Sequence, residues 1–174
     1  MNVTRMVDAP SVFTKLWLVV SLAGLAVPVH ASGLSEVQQM IFGMDCAPCA
    51  YGIELGLKKL PGVTHVRVSL NEGQADVTLA ADSSTTLERI RKVIRDNGFT
   101  PKAARVTVIG TLVHTEDGMW LVVPRQPHYR LTAKTDAVAT TLHTRPNGAI
   151  VRLQGEIPET AAVASEVTVT QVLE

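Results

Sequence analysis

Between residues 36 and 100, apolar residues recur with two different periodicities, one typical of strands and one typical of helices. Stretches that look like strands cover 37–42, 63–70 and 75–79, and a short last one opens at Phe99. Elsewhere apolar residues recur every three or four positions, which predicts two helices: one with Ile53, Leu57 and Leu60, the other with Leu87, Ile90 and Ile94. The order βαββαβ predicts an α+β ferredoxin-like sandwich, in which both helices cover one face of an antiparallel sheet.

The ends of the two predicted helices carry start and stop residues. Pro61-Gly62 ends the first helix, and Ser83 or Ser84 is expected to cap the second. Asn97-Gly98, which tolerates a left-handed backbone, ends the second helix. The basic residues of that helix are expected to stay in solvent: Arg89, Arg91, Lys92 and Arg95.

The pattern changes near residues 102–105, and residues 105–174 are rich in β-branched residues. Five strand-like stretches follow: 105–113, 119–123, 129–133, 149–155 and 166–172. A short helix with Asp136 as its cap, running through Leu142, is predicted between the third and fourth of them. That element order is typical of a small all-β, OB-like barrel domain. A different small β barrel or a sandwich fits the same pattern.

Composition and charge narrow the classes of partner. Of 174 residues, 46% are apolar and 18% are charged, and Lys+Arg balance Asp+Glu at 16 each. Binding to nucleic acid depends on neutralising phosphates with a basic surface, so this balance predicts no nucleic-acid partner. Only 4% of the residues are aromatic, which leaves little for a base-stacking surface.

Residues 1–31 resemble a targeting segment. Arg5 and Lys15 precede an apolar run from Leu16 to Val29. The segment Val29-His30-Ala31 then has small residues at the two positions that signal peptidase reads. This three-part pattern predicts a signal peptide cleaved after Ala31, and therefore a periplasmic or secreted protein without stable membrane insertion after cleavage. A retained membrane anchor is the alternative, although the apolar run spans only about 21 Å as a helix against about 30 Å of hydrocarbon.

The cysteines Cys46 and Cys49 lie between the first predicted strand and the first predicted helix, in the segment Gly43–Cys49. Two cysteines three residues apart at such a junction can direct both sulfurs to one point. The helix N-terminus stabilises negative charge there, and the thiolate is the form that binds metals. Two soft anionic ligands favour Cu(I) or Hg(II). Met44 is expected to be an apolar plug under the loop.

Residues 34–104 resemble the heavy-metal-associated (HMA) domain family, found in copper chaperones, periplasmic mercury-binding proteins and metal-transporting P-type ATPases. The family motif GMxCxxC stands here at Gly43–Cys49, and further matches are Leu60-Pro61-Gly62-Val63, Val66–Leu70 and Asn97-Gly98-Phe99. The resemblance implies that Cys46 and Cys49 are the metal ligands and that Phe99 lies near the metal. It also implies binding and transfer of a metal ion by ligand exchange, with a membrane metal transporter as partner, rather than enzymatic activity.

Asp45 stands where many members of this family have threonine. Members specialised for Zn(II), Cd(II) or Pb(II) often carry aspartate there, and a carboxylate suits these ions. Asp45 is therefore a candidate third ligand. The alternatives are a solvated loop residue or a cap for the helix beginning near Ala47.

Two other uses of the cysteine pair stay open. A thiol–disulfide exchange protein in an oxidising compartment would use the same spacing. A structural disulfide would close so short a segment that it would constrain the unfolded chain little.

The remaining candidates in the sequence point to no second site and no enzyme. His65, His114, His128 and His143 are scattered, and each is expected to be a surface or core residue rather than a ligand. No nucleophile–base pair or phosphate loop stands out. For residues 105–174 a transporter-docking module, a small-ligand module and a dimer surface are equally compatible with the pattern.

Overall fold

The computed structural model describes residues 32–160 and 166–173, so the predicted signal segment lies outside the described residues. The elements are β1 (Gly33–Phe42), α1 (Ala47–Lys58), β2 (Val63–Ser69), β3 (Gln74–Leu79), α2 (Leu87–Asp96), β4 (Thr100–Thr115), β5 (Gly118–Val122), β6 (Tyr129–Ala133), α3 (Asp136–Thr144), β7 (Ile150–Ile157) and β8 (Glu166–Val172). Among these described helices, none combines the length and apolar character needed to cross a membrane.

The first half has the predicted α+β, ferredoxin-like arrangement. Its strands lie in the order β2-β3-β1-β4, and every neighbouring pair is antiparallel. The helices α1 and α2 bury one stripe each: Ala50, Ile53 and Leu57 on α1, and Leu87, Ile90 and Ile94 on α2. Burial of these stripes provides the main stabilisation of the layer, because isolated helices of this length are marginal in water.

Strand β4 is longer than the sequence pattern predicts. A short strand opening at Phe99 and a separate one over 105–113 were expected, whereas one strand runs from Thr100 to Thr115. The expectation of a short last strand is wrong because this stretch has strand partners along its length: it pairs with β1 up to Ile109 and with β5 from Thr111. Along one edge β4 pairs with β1 and then with β5, and β7 pairs along the other edge. The proposed domain boundary near residue 104 therefore falls inside a strand.

The second half contains strands at the five predicted places and one helix between the third and fourth of them. The prediction of Asp136 as the cap of this helix is wrong, because the Thr135 hydroxyl accepts the hydrogen bond from the N–H of Val138. The pairing runs β4-β5-β6-β8-β7, and β7 pairs back to β4. The sole parallel contact within the described residues is β6 with β8. An OB-like barrel stays a prediction for this half. Buried apolar residues of both halves form one cluster.

The cap of α2 differs from the prediction. The Thr86 hydroxyl, not Ser83 or Ser84, accepts the hydrogen bond from the N–H of Arg89. Ser83 is buried instead, and its hydroxyl donates to the carbonyl of Pro61 at 3.0 Å. The side chain of Ser83 therefore stabilises the turn at Pro61, which follows α1.

Arg91 is not in solvent, contrary to expectation. Its side chain is only 2% exposed. It follows Leu87 by four residues and precedes Ile94 by three, so it lies on the buried stripe of α2. Its position rather than its charge therefore decides its burial.

Candidate metal centre

The cysteine loop connects β1 to α1. Gly43 has φ +90°, a left-handed conformation that glycine adopts without steric cost. Cys46 is the N-cap of α1, in extended conformation, and its sulfur accepts a hydrogen bond from the N–H of Cys49 at 3.2 Å. Pro48 lies in the first turn, where a missing N–H costs nothing. The loop therefore holds both cysteines at the positive end of the α1 dipole.

Cys46 and Cys49 are joined by a disulfide, with their Cα atoms 5.1 Å apart. Both residues are half-buried, so one side of the pair faces solvent. The structure thus contains the oxidised pair, with both sulfurs at one point. A metal ion would bind the reduced pair, since the thiolate is the ligand.

Asp45 is exposed and lies beside the two cysteines. One carboxylate oxygen and the two sulfurs lie within 4.8 Å of one another. Two donors at roughly 2.0–2.3 Å from one ion are at most about 4.6 Å apart, so the Asp45 carboxylate lies close enough to share an ion with the cysteines once the disulfide is reduced and the sulfurs separate. Because Cys46 caps α1, the interpretation of Asp45 as the cap is wrong. A third ligand and a solvated loop residue are the two interpretations that remain.

Residues below the loop support it from the core. Met44 is 8% exposed and belongs to the core cluster, which is the expected apolar plug. The ring of Phe99 lies against Gly43, where a Cβ would stand 3.9 Å from the Phe99 Cδ1 atom. On the outside, Phe42 and Tyr51 are 68% and 62% exposed. The Lys102 ammonium lies 5.6 Å from the centre of the Phe42 ring.

Arg91 ties the strand before the cysteine loop to the second half. Its Nε donates to the Oε1 of Gln39 on β1 at 3.1 Å, and Gln39 is fully buried. Its Nη2 donates to three carbonyl oxygens, those of Lys102, Ile157 and Pro158. Burial lowers the pKa of Arg91 by desolvation, yet arginine remains protonated because its ordinary pKa exceeds 12.

Gln126 forms a second polar bridge between the halves. Its amide nitrogen donates to the carbonyl of Ser83 at 2.9 Å and to that of Thr85 at 3.4 Å, just before α2. The hydroxyl of Tyr129 donates to the Oε1 of Gln126 at 3.4 Å. Sequence reasoning missed both bridges. The spacing of Arg91 from Leu87 and Ile94 could have predicted that it is buried. Nothing in the sequence pattern predicts the burial of Gln126.

Comparison with known proteins identifies the first half. A family model described as "Heavy-metal-associated domain" matches residues 39–100. The mercuric transport protein periplasmic component of Salmonella typhi is 33% identical over 85 residues, which are 49% of this chain and 91% of that protein. The chain belongs to the heavy-metal-associated domain family. Human copper-transporting ATPase 2 is 44% identical over 59 residues, covering 34% of this chain and 4% of that protein.

Solved structures of family members are also similar. A CopZ metallochaperone is 27% identical, with a TM-score of 0.37, and the match covers 38% of this chain and 98% of that one. Oxidized MerP from Ralstonia metallidurans CH34 is 27% identical, with a TM-score of 0.36, over 42% of this chain and 96% of that one.

Membership in the HMA family confirms the resemblance drawn from the GMxCxxC motif. The two relatives named above are described as a mercuric transport protein and a copper-transporting ATPase. At the family level the chain is therefore a heavy-metal-binding protein. The family model ends at residue 100, where β4 begins.

Proposed function

We propose that this chain is an exported carrier or scavenger of a soft metal ion, Hg(II) or Cu(I), which it holds through Cys46 and Cys49. The observation that carries the proposal is the position of both sulfurs at the N-terminus of α1, with the Cys49 N–H donating to the Cys46 sulfur. Thiolate charge is stabilised there, and two thiolates suit a soft ion of low coordination number.

Loading starts with reduction of the disulfide. Two electrons and two protons from a thiol reductant break the S–S bond and give two thiols, while the reductant becomes a disulfide. The incoming ion then displaces both thiol protons and forms two metal–sulfur bonds. The half-exposed pair leaves the ion accessible from the solvent side.

Transfer to a membrane metal transporter follows by ligand exchange. A thiolate of the partner adds to the accessible ion, one metal–sulfur bond to this chain breaks, and the released cysteine takes up a proton. A second exchange completes the transfer. The ion keeps at least two sulfur ligands throughout, so neither step passes through a bare ion.

Export is the part of the proposal supported by residues 1–31 and by the periplasmic relative. Expression in a bacterial host followed by mass analysis of the periplasmic fraction tests it. We expect a protein beginning at Ser32. A chain of full length retained in the membrane fraction would favour the anchor instead.

Anaerobic competition titration of the reduced chain tests the binding claim. Wild type should bind one equivalent of Hg(II) or Cu(I) tightly, and the Cys46→Ser/Cys49→Ser variant should lose that tight equivalent. Thermal unfolding of both proteins controls for folding. Equal affinity in the double variant would show that the central claim is wrong.

Asp45 decides whether harder ions are accepted. If its carboxylate coordinates, Asp45→Asn should weaken Zn(II), Cd(II) or Pb(II) binding more than Hg(II) binding. Asp82→Asn, in an exposed turn outside both candidate metal sites, is the matched control. Equal Zn(II) affinity in wild type and Asp45→Asn would leave Asp45 as a solvated loop residue.

Thiol–disulfide exchange is the second candidate, favoured by the disulfide itself. The relatives named above are metal-transport proteins and lend it no support. Its test is the catalysis of disulfide exchange between a reduced thiol and a disulfide-bonded protein substrate. A rate that depends on both cysteines and exceeds that of free dithiol would favour exchange over metal transport.

A further inference from the structure

Two histidines and a methionine lie together at one end of the second half. His114 is near the end of β4 and stands directly opposite Met119 of β5 in the antiparallel pairing. His143 is in the last turn of α3. The ring centres of His114 and His143 are 6.2 Å apart, and the rings are tilted by 44°. Three elements therefore bring three potential metal ligands to one place.

The side chains of His114 and Met119 share the inner face of the β4–β5 pair. His114 follows Leu112 by two residues and Met119 precedes Leu121 by two, and both leucines are buried. Residues directly opposite in such a pair have Cβ atoms about 4.5–5.5 Å apart. The thioether of Met119 is thus within reach of an ion bound to His114.

The Nε2 atom of His114 is buried and has no hydrogen-bond partner among residues 32–160 and 166–173. Buried polar atoms in folded proteins nearly always have a partner. Imidazole nitrogens are also the commonest protein ligands of metal ions. A bound metal ion that accepts the lone pair of Nε2 would give this atom the partner that it lacks.

The spacing of the two rings fits coordination of one ion. With a metal–nitrogen distance of about 2.0–2.1 Å, each ring centre lies about 3.2 Å from the ion, so two rings are at most about 6.4 Å apart. The observed 6.2 Å corresponds to a wide nitrogen–metal–nitrogen angle. Wide angles with two imidazoles and a thioether suit a soft monovalent ion.

The surrounding backbone holds the group in place. The N–H of His114 donates to the Oδ1 of Asn147 at 3.1 Å, in the loop after α3. Gly148 and Ala149 in the same loop exchange backbone hydrogen bonds with Leu112, each of 2.8 Å. The end of α3 is therefore tied to β4 without any metal. The β4–β5 turn adds two carboxylates, Glu116 and Asp117, which favour a cation nearby.

We propose that His114, His143 and Met119 form a second metal site that takes a soft monovalent cation of the Cu(I) class. It lies at the opposite end of β4 from the cysteine loop, since Phe42 pairs with Thr100 and Met119 with His114. The scattered histidines gave no such expectation from sequence. The site is independent of the cysteine pair and goes beyond the proposed function.

The test uses Ag(I) as a redox-inert probe and the full chain carrying Cys46→Ser/Cys49→Ser. We expect this chain to bind one equivalent of Ag(I), with shifts of the His114 and His143 imidazole signals in NMR spectra. His143→Ala should weaken the binding by more than about tenfold, since even outer-shell partners of metal ligands are worth ten- to hundredfold. Met119→Leu, which keeps the apolar volume, should weaken it less.

Controls separate this site from the rest of the molecule. His128→Ala removes an exposed histidine of the same half and should leave Ag(I) binding unchanged. His143 is exposed, so His143→Ala should keep the thermal unfolding midpoint, even if His114→Ala disturbs the core. In the chain with intact, reduced cysteines, His143→Ala should remove only the second equivalent. Absence of Ag(I) binding by the cysteine-free chain, or equal binding in His143→Ala, would overturn the proposal.

Discussion

The two candidate metal sites lie at opposite ends of strand β4 and are assembled in different ways. Cys46 and Cys49 are three residues apart, and one loop with the first turn of α1 positions both. His114, Met119 and His143 come from two strands and a helix, and they meet only when the second half is folded. The geometry of the cysteine site is therefore set by local structure, whereas the histidine site exists only where the second half is folded.

That difference matters only if the halves can unfold separately. Strand β4 pairs with elements of both halves, and the buried side chains of Arg91 and Gln126 bridge them. These contacts predict one cooperative unit.

Removal of the Arg91 bridge should have the largest effect. Arg91→Met leaves the Gln39 amide oxygen and the carbonyls of Ile157 and Pro158 without this donor. The Lys102 carbonyl keeps the Gln39 Nε2 as its donor. The variant should lower the free energy of unfolding by about 3–5 kcal/mol. Urea unfolding measures the change. Arg89→Met, at an exposed position of the same helix, is the control and should stay within about 0.5 kcal/mol. If Arg91→Met lowered the free energy of unfolding by no more than the control does, the bridge would contribute nothing to stability.

Matched cavities in the two halves should shift the same transition. Ile53 under the cysteine loop and Leu142 in α3 are both fully buried. Ile53→Ala and Leu142→Ala should each cost about 2–5 kcal/mol. Because β4 is shared, α-helical and aromatic signals should unfold together in each variant. Two separate transitions, each moved by one variant only, would show that the halves are independent.

Alkaline pH should weaken the molecule through Tyr129 in the second half. Burial raises the pKa of Tyr129 to about 12, from an ordinary value of 10.0. The native state thus disfavours the tyrosinate, so this stabilisation is complete below pH 10 and is lost as the pH rises towards 12. The loss should reach about 2–3 kcal/mol.

The free energy of unfolding measured from pH 8 to 11 checks this dependence. In Tyr129→Phe the free energy of unfolding should change less at alkaline pH. It should also be lower by about 1 kcal/mol because the hydrogen bond of the hydroxyl is lost. Tyr51→Phe, which changes an exposed tyrosine, should keep the dependence of wild type. An alkaline slope unchanged by Tyr129→Phe would rule out this role.

The sequence was most informative where structure is local. The βαββαβ order and the cysteine loop follow from spacing of three or four residues and from turn residues, which act within one element. The length of β4 and the burial of Arg91 depend on contacts across the sheet. Helical spacing places Arg91 on the buried stripe, yet its acceptors at Ile157 and Pro158 lie far along the chain.

The group around His114 illustrates the same limit. Strand alternation places His114 and Met119 on one face once their pairing is known, and a β-hairpin across Glu116-Asp117-Gly118 makes that pairing local. The position of His143 depends on how α3 packs against the strands, which no spacing in the sequence encodes.

X-ray absorption spectroscopy on the reduced chain loaded with one equivalent of Hg(II) identifies the atoms that hold the ion. Binding by Cys46 and Cys49 predicts a first shell of two sulfur atoms at about 2.3 Å, a distance typical of metal–thiolate bonds. That shell should disappear in Cys46→Ser/Cys49→Ser. A first shell of nitrogen and oxygen alone in the wild-type protein would show that the two cysteines are not the ligands.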